Sequence, residues 1–191
     1  MFRTLYVYLV FSKTGTWLSR VLTLFTGEKY VHTSISLDHD LKTMYSFGRV
    51  TPNNPFSAGF IRENFNKGVF LKKSNCECIV YRIKINEIQH AMLINELSRF
   101  IAADQFLRYN FLGLFTAAMK IPMRRENHYF CSQFVSELLM KINLLQNPFP
   151  PELTKPMDLY HIEGKEEIYQ GFTWQFGAAS LGSANRGCVA K

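Results

Sequence analysis

From Asn86 the spacing of the apolar residues changes from a period of two to a period near 3.6, and this change restricts the fold more than any other feature. Before it, Leu5, Val7, Leu9 and Phe11 alternate with Tyr6, Tyr8 and Val10, predicting a strand over Thr4–Ser12. Val31, Thr33, Ile35 and Leu37 predict a second strand, with His32, Ser34, Ser36 and Asp38 on its other face. Asp38-His39-Asp40 turns into a third strand over Lys42–Val50, and Phe65–Leu71 and Glu77–Ile85 suggest two more. Thr51–Gly59, with two prolines, two asparagines and a glycine, is expected to be a loop. After Asn86, Ile88, Met92, Leu93, Leu97, Phe100 and Ile101 mark a helix of several turns. Asn110–Met119 and Phe130–Leu144 are shorter helices, and beyond Pro148 the chain looks irregular. A further helical pattern runs from Trp17 to Phe25, ended by Gly27. Strands gathered before residue 86 and helices after it predict an α+β protein with an antiparallel sheet, not alternating βαβ units.

At 191 residues the chain fits one domain, expected over residues 1–177, with residues 178–191 a Gly/Ala/Ser-rich flexible tail. Lys and Arg exceed Asp and Glu by 22 to 15, a net charge of +7 that favours acidic surfaces or substrates. The basic residues are scattered, as at Lys72-Lys73 and Arg124-Arg125, and nucleic acid is not the expected partner. The N-terminal apolar stretch from Leu5 to Phe11 is too short for a leader, and Tyr109–Met119 covers about half a membrane span. A cytoplasmic protein with at most peripheral membrane contact is expected. The four cysteines, Cys76, Cys78, Cys131 and Cys188, match no zinc spacing and are expected to be free thiols. HExxH, G-x-S-x-G and glycine-rich phosphate loops are absent, so neither a metal nor another cofactor is expected.

Cys131 is the candidate nucleophile. It opens the expected Phe130–Leu144 helix, where the macrodipole and free N–H groups favour a thiolate. Thiols so placed fall to pKa values of about 3.5–7.5. His32, on the polar side of its strand, is the candidate base, able to offer one ring nitrogen to the thiolate while another group holds the second. His128, three residues before Cys131, is a candidate for lining the cleft, and Arg124 with Arg125 for reading a substrate carboxylate or phosphate.

Tyr30-Val31-His32-Thr33-Ser34-Ile35-Ser36-Leu37 resembles the histidine strand of the NlpC/P60 proteins, and Phe130-Cys131-Ser132-Gln133-Phe134-Val135 resembles their cysteine helix. The histidine precedes the cysteine, the order of the circularly permuted branch that includes lecithin retinol acyltransferase-like proteins. Tyr109-Asn110 is similar to that branch's Tyr-Asp element, and Lys155-Pro156-Met157-Asp158-Leu159 to its Thr-Pro-x-Asp-Leu segment. The resemblance implies a papain-like fold, an antiparallel sheet or partial barrel packed against helices. It implies a catalytic Cys131 and His32, with Tyr109 a further donor or cleft residue. The family's third catalytic position falls on Thr43–Arg49, where Ser46 is the polar candidate and Tyr45 the neighbour that replaces it if the strand shifts by one. The implied activity is an amidase or peptidase acting on a small peptide, an amino-acid conjugate or a cell-wall fragment. The alternatives are a lipid-directed acyltransferase, phospholipase or thioesterase, and a non-catalytic ligand-binding domain.

Overall fold

The computed structural model describes residues 4–13, 28–51, 57–72, 75–146 and 149–176. The helical pattern at Trp17–Phe25 and the whole of the expected tail, Cys188 included, lie outside these residues. Strand β1 (Leu5–Lys13) is followed by β2 (His32–Ser36), β3 (Met44–Arg49) and β4 (Ala58–Glu63). Next come a short helix α1 (Gly68–Lys72) and β5 (Glu77–Ile85). The helical half carries α2 (Glu87–Ala102), β6 (Arg108–Tyr109), α3 (Phe111–Ala118), β7 (His128–Tyr129) and α4 (Cys131–Lys141). Helix α5 (Pro156–Tyr160) and strand β8 (Lys165–Phe172) complete the order. Six strands form one antiparallel sheet in the order β4-β3-β2-β1-β5-β8, and β6 pairs with β7 in a separate parallel ladder. The chain is therefore α+β, with an antiparallel sheet packed against helices.

Period two in β1 reflects two buried faces. Val7, Leu9 and Phe11 pack with Ile35, Phe47, Phe60 and the helix residues Leu93, Leu97, Phe134 and Leu138. Tyr8 and Val10 join Met44, Phe65, Phe70, Cys78 and Phe176 on the other side. At the centre of the helix side, Phe47, Phe60, Phe100 and Phe134 stack at tilted and edge-on angles, their rings 4.8 to 6.3 Å apart. Ser34 and Ser36, expected on the polar side of β2, are fully buried beneath the second cluster. Helix α2 begins with a reciprocal cap: the Gln89 N–H donates to Asn86 Oδ1 and the Asn86 N–H to Gln89 Oε1.

Several elements differ from the sequence expectation, helix α5 in the tract expected to be irregular among them. The strand expected over Phe65–Leu71 is a turn followed by α1, while β4 lies earlier, its first two residues in the tract expected to be loop and the rest in the unassigned stretch after it. Its six residues, Gly59 included, pair one for one with β3. That ladder outweighs the weak strand preference of glycine. Gly68, at φ +60°, provides the left-handed turn into α1 that β-branched or bulky residues resist. Strand β8 was also unforeseen. It is a sheet edge with none of its residues buried, so its sequence lacks the alternation that marks a half-buried strand.

Candidate active site

Helix α4 rests on β2 and β3 and starts at Cys131. Phe130 occupies the N-cap position and has no oxygen to cap with, so the first-turn N–H groups are not taken up by an N-cap side chain. Gln133 turns back to accept from the Phe130 N–H at 3.4 Å. Cys131 retains 3% exposure, and its thiol lies 3.9 Å from the Val31 carbonyl, beside His32 at the start of β2. Cys76 and Cys78 have no exposure, and burial first, then Cys76, pushes the Cys78 thiol up to about 12. All three are free cysteines, as expected.

His32 joins the site together. Its Nε2–H donates to both oxygens of Glu63, at 2.9 and 3.0 Å, with the two side chains only 13% and 12% exposed. Burial alone would push this imidazole down. The Glu63 carboxylate and the Cys131 thiol act against burial, and together they raise it well above its ordinary 6.5. With Nε2 bonded to Glu63, Nδ1 is the ring nitrogen left for the thiol. Ser34, fully buried on the same strand, donates its hydroxyl to Glu63 Oε2 and lies 3.4 Å from His32 Nε2. Gly48 lies next to the ring: a Cβ there would stand in ordinary contact with His32 Cε1, at 3.5 Å, and would displace the end of the Ile61 side chain.

The side chain bonded to the His32 ring is therefore Glu63, not Ser46. The Ser46 hydroxyl is buried and donates to the Thr33 carbonyl at 2.7 Å, so it serves the sheet. A shift to Tyr45 does not rescue the expectation either. Tyr45 stands opposite Ile35, on the face away from His32, with its ring stacked on Phe60 at 6.0 Å. No local signal marks Glu63, which lies between the expected loop Thr51–Gly59 and the expected strand Phe65–Leu71. Ser34 was named only as part of a polar strip.

Tyr109 reaches the site by way of the β6–β7 ladder. Arg108 donates to the Asn127 carbonyl at 2.8 Å and Asn110 to the Tyr129 carbonyl at 3.0 Å, fixing Tyr109 beside the strand that runs into Cys131. Burial first, and then Cys131, raise the Tyr109 phenol well above its ordinary value of 10.0, so it keeps its proton as a donor. Asn110 caps α3, its Oδ1 accepting from the Gly113 N–H at 2.9 Å. The other two candidate substrate contacts have partners within the chain. Arg124, 73% exposed, sits 3.8 Å from the buried Glu152 carboxylate. His128 Nδ1–H donates to the Glu126 carbonyl at 2.7 Å.

Among the described residues no group of three or more His, Cys, Asp or Glu is arranged to hold a metal ion. The arrangement is a thiol, an imidazole, a carboxylate and a phenol, suited to nucleophilic attack on a carbonyl with proton transfer. No protein-family model, no curated protein and no solved structure matches this chain.

Proposed function

We propose that this chain is a cysteine hydrolase of the papain-like, circularly permuted NlpC/P60 type, acting through an acyl-enzyme on Cys131. The observation that carries the reading is His32, bonded through Nε2 to Glu63 and coupled to the Cys131 thiol. A raised imidazole pKa favours the imidazolium, the partner that a thiolate requires.

The Cys131 thiolate attacks the substrate carbonyl carbon, forming a C–S bond and an oxyanion. The Cys131 backbone N–H, free at the first helical position, and the Tyr109 hydroxyl donate to that oxygen. As the oxyanion collapses, the bond to the leaving amine or alcohol breaks, and the imidazolium of His32 supplies its proton. Water, giving up a proton to His32, then attacks the thioester, releases the acid and returns Cys131 as thiolate. Glu63 holds the ring by Nε2 throughout and stabilises its charge. An amide of a small peptide or amino-acid conjugate is the proposed substrate. An acyl ester of lipid type is the second reading, favoured by the exposed apolar residues of α3, which follow Tyr109 directly in the chain.

The test is the pH dependence of iodoacetamide alkylation at each cysteine, followed by mass spectrometry in the native protein and in His32→Ala. Fast labelling of Cys131 near neutral pH, ahead of Cys76 and Cys78 and slowed in the variant, is the expected result. An inert Cys131, or one that labels identically without His32, removes the enzyme reading and leaves a binding domain.

A further inference from the structure

Helix α3 turns large apolar side chains outward. Leu112, Phe115 and Met119, spaced i, i+3 and i+7, fall within an arc of about 60° on the helix. They are 57%, 61% and 69% exposed, and Ile121 just beyond the helix is 49% exposed. The patch is too short to span a bilayer, and no helix among the described residues is long and apolar enough to do so. Cations flank it in the chain: Arg108, Lys120 and Arg124 are exposed and Arg125 half-buried, against Asp104 and Glu126 in the same stretch. Although Arg124 lies near Glu152, its side chain stays 73% exposed.

An exposed apolar strip with exposed cations next to it in the chain matches the needs of a helix lying in a headgroup layer. The apolar side chains enter the acyl boundary, while lysine and arginine meet anionic headgroups. A second copy of this chain is a poorer occupant, because both faces would carry the same cations and each chain a net charge of +7. We propose that α3, through Leu112, Met119 and Ile121 with Lys120 and its neighbouring arginines, docks the protein on an anionic lipid surface. Tyr109, at the site, precedes the cap residue of this helix, so docking sets the Cys131 site beside the lipid layer. Docking needs no catalysis. Its consequence, that an acyl chain from the bilayer is within reach of Cys131, rests on the hydrolase reading.

The experiment is co-sedimentation of the full chain with phosphatidylcholine vesicles prepared with and without phosphatidylglycerol. The native protein should pellet with the anionic vesicles and be released by salt. Leu112→Asp/Met119→Asp, at exposed positions and checked for an unchanged thermal transition, should lower the bound fraction about tenfold. Lys120→Glu should weaken binding about fivefold or more. Cys131→Ala should pellet like the native protein, so a failed hydrolase reading leaves the docking result intact. The proposal is overturned if the native protein stays in the supernatant, or if the double variant pellets equally well. It is also overturned if light scattering shows a native dimer that the double variant splits, or if an acidic protein and not the vesicles binds this face.

Discussion

In the proposed mechanism His32 is the base and Glu63 the group that favours its charged form. Removing the carboxylate's charge while keeping its shape separates the two. In Glu63→Gln, alkylation of Cys131 at neutral pH should slow by about tenfold or more, within the range that positioned acid–base groups supply. Ser46→Ala should leave the alkylation profile unchanged, since its hydroxyl bonds the Thr33 carbonyl and not the imidazole. Should Ser46→Ala and not Glu63→Gln alter the profile, the assignment of the orienting residue is wrong. The raised pKa of His32 also links folding to pH. A group raised above its unfolded value of about 6.5 contributes stability that is fully present below that pH and lost as pH rises through the raised folded value. The native protein should thus lose part of its urea-unfolding free energy as pH climbs above 6.5, and His32→Gln should lose less. Equal slopes in the two proteins would show that the imidazole gains no net interaction on folding.

Short elements carry the site residues, and their ends matter more than their length. Helix α3 depends on Asn110, whose side chain caps it and whose N–H bonds the Tyr129 carbonyl at 3.0 Å. Asn110→Ala should cost about 1 kcal/mol of stability through the lost cap, measured by urea unfolding. A near-zero change would mean that water replaces the cap. Gly113 is tied to the same cap, because a Cβ there would lie 2.1 Å from the Asn110 amide nitrogen. Strand β4 shows the opposite dependence. Its six-residue ladder with β3 supports it, and that support is non-local. The periodicity of β1, β5 and α2 could be seen in the sequence because each buries a regular set of side chains. Strands β4 and β8 escaped, one holding a glycine at its second position and the other lying at an edge with no buried face.

Across the whole molecule, helix α4 is joined to the sheet by the aromatic cluster around Phe134, which is fully buried among Phe47, Phe60 and Phe100. Phe134→Ala should cost about 3–5 kcal/mol, a large share of the roughly 5–15 kcal/mol that holds a domain of ordinary stability together. The measurement is the unfolding free energy in urea, and a cost below about 1 kcal/mol would mean that the neighbouring rings close the space. Because Cys131 lies one turn before Phe134, the same packing sets the thiol against β2. The sequence by itself determined the parts that depend on local period: the α+β class, the cysteine at a helix start, and the histidine on a strand. Only the tertiary structure decided which carboxylate meets that histidine. Glu63 is brought to His32 by the sheet order β4-β3-β2 and by the folding into a strand of a stretch that carries no local strand signal. Strand order and register are contacts between distant residues, and their energy has no counterpart in the spacing of neighbours along one chain.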